Sequence, residues 1–166
     1  MIEITLHVNG VEKRLEVEPR RLLADVLRQD CGYTGVHIGC AHGGCGACTV
    51  QVEGVPRLSC LCFAVQCDGQ KITTVEGLAQ DGRLHPLQQA FIDAHGLQCG
   101  YCTPGQIMAL LDFVATAENP GDDEIRRAMS GNLCRCTGYQ SIVDAVRRAI
   151  AARDASRDAE SGAGDG

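Results

Sequence analysis

The chain of 166 residues sets 15 Lys and Arg against 21 Asp and Glu, a formal net charge of −6, and is 45% hydrophobic and 22% charged. Those fractions suit an ordinary globular protein, while the acidic balance argues against nucleic acid as a partner, since no basic stripe exists to neutralise phosphates. With three Phe, three Tyr and no Trp, any core rests on Leu, Ile, Val and Ala, and small domains of that kind gain from a covalent or metal staple.

Residues 2–8 alternate apolar and polar (Ile2, Ile4, Leu6, Val8), the period of a half-buried strand. Asn9-Gly10 is the favoured two-residue hairpin pair, and Val11 with Arg14 to Val17 reads as the returning strand. Arg21 to Gln29 predicts a short helix, with Leu22, Leu23, Val26 and Leu27 on one side. Gly32 to Gly46 is Gly-rich and irregular. Strands resume at Thr49 to Val52 and, after a turn over Glu53-Gly54-Val55-Pro56, at Arg57 to Ser59; Lys71 to Val75 is the last. One hairpin, one helix and further strands around a sheet make an α+β unit over residues 1–77.

Beyond Gly77 the period changes from two to 3.6. His85 to Ala94, Gln106 to Ala117, Asp122 to Met129 and Ser141 to Ala152 are each amphipathic, which predicts a four-helix domain over residues 78–152. Residues 153–166 are rich in Asp, Ala, Ser and Gly and are expected to form a disordered tail.

Eleven cysteines stand out. The segment Met1 to Val8 has no basic region followed by a long apolar run, so it does not read as a signal peptide. No stretch approaches the ~20 apolar residues of a membrane span. The count is odd, and several cysteines lie too close together to pair with one another. The expectation is a reducing cytoplasm, with thiolates serving as metal ligands.

Cys40-Ala-His-Gly-Gly-Cys45-Gly-Ala-Cys48 has the C-x4-C-x2-C spacing of plant-type [2Fe–2S] ferredoxins. Such a loop must wrap an anionic cluster while backbone N–H groups point at its sulfurs, and Gly39, Gly43, Gly44 and Gly46 permit that approach. Cys60, on the neighbouring strand, supplies the fourth thiolate, with Cys62, two residues on, the cysteine most easily mistaken for it. A four-cysteine zinc site is the competing reading. Zinc ribbons favour paired C-x2-C knuckles, which a four-residue Gly-rich gap suits poorly.

A second set follows. Cys99-Gly-Tyr-Cys102-Thr103-Pro104 joins a C-x2-C pair to a helix start, with Thr103 as N-cap and Pro104 at the first helical position. The helix N-terminus would face the two thiolates with its partial positive charge. Cys134-Arg-Cys136 adds two more sulfurs just before another helix.

Taken together, Gly39-Cys40 through Cys48-Thr49-Val50, Ser59-Cys60, Gln98 through Gly105, and Cys134-Arg-Cys136-Thr-Gly-Tyr139 resemble the iron–sulfur small subunit of the xanthine oxidase family of molybdenum hydroxylases. The resemblance spans roughly residues 2–150. It implies a β-grasp plant-type ferredoxin domain followed by a four-helix [2Fe–2S]-binding domain. It also implies a large subunit with molybdopterin, often as the cytosine dinucleotide, and a medium subunit with FAD, assembled as a dimer of heterotrimers. By the same resemblance Cys99, Cys102, Cys134 and Cys136 hold the cluster nearer molybdenum, and Cys40, Cys45, Cys48 and Cys60 the one nearer the flavin. Gln98 and Cys136 match positions that contact the pterin.

The substrate pocket of such an enzyme lies on another chain. A nitrogen heterocycle, another small aromatic or an aldehyde is expected, with a carbon monoxide dehydrogenase small subunit as the alternative suggested by Gln66 to Gly69 and Val75 to Leu78. A free-standing, diffusible ferredoxin is the second class. Cys31, Cys62 and Cys67 are expected to be small buried apolar residues, His42 a solvent-facing loop residue, and His37, His85 and His95 structural. Arg135 could equally face the cluster charge or a partner.

Overall fold

The computed structural model describes residues 1–162, the side chains through residue 159. The first half is a five-stranded sheet in the order β2-β1-β5-β3-β4. Strands β1 (Ile2–Val8) and β2 (Val11–Val17) are antiparallel, with Val8 opposite Val11. Their turn is Asn9-Gly10, both at positive φ, as the hairpin pair requires. Ile4, Leu6 and Val8 point inward and are buried, whereas Ile2 at the strand's start is exposed.

The expected helix at 21–29 is shorter and looser. A single α turn, α1 (Leu23–Asp25), widens at once into a π-helical turn over Val26–Asp30. Leu23, Ala24, Val26 and Leu27 are all buried, so the widened turn still presents its apolar face to the sheet. Strand β3 (Thr49–Val52) pairs with β4 (Val55–Leu58) through a tight Glu53-Gly54 turn, again with both residues at positive φ. Pro56 therefore lies within a strand and not in the expected four-residue turn. It can do so because β4 is the sheet edge, where no partner needs its missing N–H. Strand β5 (Lys71–Thr73) runs parallel to β1 and antiparallel to β3.

The second half holds α2 (Pro86–Asp93), α3 (Thr103–Thr116), α4 (Asp122–Ala128) and α5 (Gln140–Gly162). Leu87, Phe91, Leu110, Ile125, Ile142 and Val146 are among the buried residues of its core. A separate core under the sheet contains Leu6, Leu23, Leu27, Val50 and Ile72. The molecule is thus a mixed α+β structure with two apolar cores.

Helix α3 joins the halves. All four residues of β3 are buried, although Thr49-Val50-Gln51-Val52 alternates as a half-exposed strand would. The polar face is covered by α3, and Gln51 Nε2 donates to Met108 O at 2.8 Å.

The tail differs from expectation. Helix α5 continues through Gly162, because Arg153 donates to Val114 O and Ala117 O, and Arg157 to Ala115 O, fastening it to the end of α3. The rest of the expected disordered tail, residues 163–166, lies outside the described residues.

Candidate metal centres

The antiparallel pairing of β3 and β4 places Thr49 opposite Leu58, so Cys48, just before β3, meets the turn Ser59–Leu61 that follows β4. Ser59 fixes the junction: its hydroxyl donates to Cys48 O at 2.7 Å and its backbone N–H at 3.3 Å. Cys48 and Cys60 are buried, at 2% and 3% exposure, and their thiols interact. Burial pushes the Cys48 thiol up to about 11, opposed by the Cys60 backbone N–H and reinforced by the Cys60 thiol. Cys40 and Cys45 form the other pair, in the glycine loop. There the His42 backbone N–H brings Cys40 down to about 6, with Cys45 and Gly44 also donating.

Cys60, not Cys62, is the thiol that reaches Cys48. Cys62 turns to Leu58 O at 3.5 Å. Cys31, Cys62 and Cys67 pack into or against the sheet core, and burial raises all three thiols. His42 is exposed in its loop.

The second set gathers around a cavity of about 220 Å³ lined by Cys99, Cys102, Cys134 and Cys136 and also by Cys40 and Cys45 of the first set. Cys99 Sγ and Cys136 Sγ are 3.5 Å apart and exposed. Cys102 and Cys134 form the inner pair; burial, and then Cys134, push the Cys102 thiol up to about 12. Burial alone would raise Cys134, but the Thr137 hydroxyl and N–H outweigh it and lower that thiol. Tyr139 completes the turn, its hydroxyl accepting from Cys134 N at 2.8 Å. Gln98 is exposed beside Cys99, and Arg135 is exposed at the cavity.

Helix α3 begins one residue earlier than predicted. Cys102 itself is the N-cap, Thr103 opens the helix, and Gln106 N donates to Cys102 O at 3.0 Å. Thr103 is therefore not the cap, and its buried hydroxyl has no hydrogen-bond partner among the described residues. The helix start still lies at a thiol, where its unpaired N–H groups favour negative charge.

Several contacts outside the cysteines themselves order this region. Leu133 N donates to Cys45 O at 2.9 Å and Asn132 Nδ2 to Gly46 O at 2.9 Å. Tyr101 stacks on His37, ring centroids 4.6 Å apart, and its hydroxyl donates to Ile38 O at 3.0 Å. His85, expected to be structural, caps α2 by accepting from Leu87 N. Gln106 is fully buried and its Nε2 lies 3.7 Å from Cys102 Sγ.

Among the described residues no three His, Cys, Asp or Glu side chains converge as the ligands of one ion would. The thiols come instead as two pairs per set. A [2Fe–2S] rhomb has two irons, each with two terminal thiolate positions, so two facing pairs are the donor set it needs.

The family described as "[2Fe-2S] binding domain" matches residues 74–147. The caffeine dehydrogenase subunit gamma of Pseudomonas sp. (strain CBB1) is 55% identical over 148 residues, covering 87% of this chain and 88% of that one. This chain belongs to the small iron–sulfur subunits of the xanthine oxidase family of molybdenum hydroxylases. The nicotine 6-hydroxylase small subunit of Paenarthrobacter nicotinovorans is 50% identical over 145 residues, covering 87% of each chain. Quinoline 2-oxidoreductase from Pseudomonas putida 86 superposes with a TM-score of 0.86 at 47% identity, over 92% of this chain and 96% of that one. Within the family this small subunit carries electrons in a multi-subunit oxidoreductase, and catalysis takes place on other subunits. No helix among the described residues is long and apolar enough to cross a membrane.

Proposed function

We propose that the chain is a two-cluster relay. Cys99, Cys102, Cys134 and Cys136 hold a [2Fe–2S] cluster facing a molybdopterin subunit. Cys40, Cys45, Cys48 and Cys60 hold a second one facing an FAD subunit. On this reading residues 1–77 form a β-grasp ferredoxin domain and residues 78–152 a four-helix domain, within a heterotrimer that pairs into a dimer. When bound, the clusters supply one-electron redox chemistry. The protein's part is to fix eight thiolates, shield the inner ones and hold the two loops in register.

The observation that carries this reading is the pairing of the thiols. Two sets of two pairs, joined directly by Leu133 N to Cys45 O, make a relay of two stations. The exposure of Gln98, Cys99 and Cys136 on the helical half supports that set as the one meeting the pterin, bound as its cytosine dinucleotide, through Gln98 and Cys136. The buried Cys48 and Cys60 suit the more internal station. Free thiols in such number suit a reducing cytoplasm.

A nitrogen heterocycle is the substrate class we favour for the complex, because the relatives above are named for caffeine, nicotine and quinoline. The test is the native complex, co-purified with its neighbouring subunits. About four irons and four sulfides per chain, with two distinct reduced EPR signals, are expected. Zinc in their place, or a lone diffusible monomer, overturns the reading. Substrate-dependent dye reduction with nitrogen heterocycles, but not with aldehydes or carbon monoxide, checks the substrate class separately.

A further inference from the structure

Gln106 lies on α3 one turn after Cys102 and is 0% exposed. Its Nε2 is 3.7 Å from Cys102 Sγ, while its Oε1 has no hydrogen-bond partner among the described residues. A buried amide is costly unless it is hydrogen-bonded. Leu or Met would fill the same helical position without that cost. Among the described residues the only acceptor that the side chain reaches is a sulfur, and a neutral thiol is a weak acceptor. A metal-bound thiolate is a strong one, because hydrogen bonds to charged groups are shorter and stronger than neutral ones. The side chain's burial is therefore compensated best when Cys102 carries negative charge.

Its position also differs from that of the other donors around this set. Thr137 bonds Cys134 from the turn that contains it, and such local donors come with the loop. Gln106 reaches Cys102 from inside the fold, in the region where Thr103 Oγ1, three residues earlier on the same helix, is also buried without a partner. Behind Cys102 the fold thus holds a neutral, fully buried donor at one thiolate.

Resting on the assignment of a cluster to Cys99, Cys102, Cys134 and Cys136, we propose that the Gln106 side-chain amide, donating from a fully buried position to Cys102 Sγ, raises the reduction potential of that cluster relative to an apolar residue there. The reduced cluster carries one more negative charge than the oxidised one. An N–H···S bond stabilises the more negative state more, and hydrogen bonds to the sulfurs are among the factors that set cluster potentials. Gln106 does not touch substrate, so its effect belongs to the electron acceptor.

The test is an EPR-monitored redox titration of the assembled complex carrying Gln106→Met or Gln106→Leu. At a fixed solution potential the reduced-to-oxidised ratio of one cluster should fall about three- to tenfold, tenfold being about 59 mV for a one-electron couple. The signal of the other cluster should stay in place. An unchanged potential for both clusters, or an equal shift in both, overturns the proposal. A second measurement needs no variant. In wild-type complex labelled with ¹⁵N only at glutamine side-chain amides, a hyperfine coupling should appear on one cluster's signal and not the other's, and its absence also overturns the proposal. A complex with fewer than two clusters per chain would instead defeat the relay assignment, so the two failures are distinct.

Discussion

The two thiol sets solve one problem with different material. In the sheet half, two of the four thiols sit at the ends of paired strands, and Cys48 and Cys60 are buried in the apolar core. The other two hang in a glycine loop where backbone N–H groups pull the Cys40 thiol down to about 6. In the helical half no thiol is fully buried. Cys99 and Cys136 are exposed, and Cys102 and Cys134 are half-covered, each just before a helix. A strand pair fixes a thiol by register, whereas Cys102 is fixed as the N-cap of α3 and Cys134 by its turn through Thr137 and Tyr139, which leaves the outer pair open. The sheet set is thus the more enclosed of the two, and the helical set the more open.

Cysteine removal should break this contrast most strongly. Cys60→Ala is expected to remove the sheet-half cluster, cutting iron from about four to about two per chain, and to stop flavin reduction in the complex while substrate still reduces molybdenum. Stopped-flow spectra of the complex check it, and flavin reduction at the normal rate would refute the electron path. The matching change, Cys99→Ala, should remove the helical-half cluster and lower the unfolding temperature of that half, since metal binding and folding are coupled. Unchanged thermal unfolding would contradict it.

Much of this was legible in the sequence, for a physical reason. Five of the eight proposed ligands lie in two short motifs, Cys40–Cys48 and Cys99–Cys102, two more form the Cys134-Arg-Cys136 step, and Cys60 is one hairpin away; local spacing alone points to the first seven. The alternation of β1 and the period of α2 to α5 were likewise local. What was not legible depends on contacts between distant segments. Gln51 reads as a solvent-facing strand residue until α3 covers it. Asn132 reads as a loop residue until it donates to Gly46 O. Gln106 did leave a trace, since it lies four residues after Cys102 in an otherwise apolar helix turn. The helical tail could not be read from its composition, because Arg153 and Arg157 find their acceptors on α3, about 40 residues back.

The seam between the halves gives the next effects. Gly46 takes φ +72°, and a Cβ there would run into Gly131 O and Asn132 Nδ2. Gly105, on α3, passes so close to the Cys45–Cys48 segment that a Cβ would lie 2.8 Å from Ala47 O and closer still to Gly46 O. Backbone cannot yield as a flexible side chain does. Gly105→Ala should therefore cost about 3 kcal/mol and perturb both EPR signals together, in contrast to the single-cluster effect of each cysteine change. Asn132→Ala is milder. It removes one buried donor, but Gly46 O still accepts from Thr49 N and Thr49 Oγ1, so about 1 kcal/mol is expected, read from denaturant midpoints.

The smallest expected effect separates stability from the site altogether. Arg153 is on α5, its side chain 14% exposed, and its guanidinium donates to Val114 O at 2.5 Å and Ala117 O at 2.8 Å while pairing with Asp154. The last carbonyls of α3 have no partner within the helix, and Arg153 supplies one from outside. Arg153→Ala leaves those carbonyls to water, which can reach this end of the helix, so the loss should be about 1 kcal/mol, or about 2–4 °C in melting temperature for a chain of this size. Lysine at the same position brings one donor group in place of a fork and should recover only part of the loss. Because the far end of α3 carries Cys102, an effect confined to helix fraying should leave both cluster signals and potentials in place. If Arg153→Ala did shift the helical-half cluster, α3 would have to move as a rigid rod between its two ends, and the contrast between a fixed sheet set and an openly mounted helical set would become one of mobility as well as of burial.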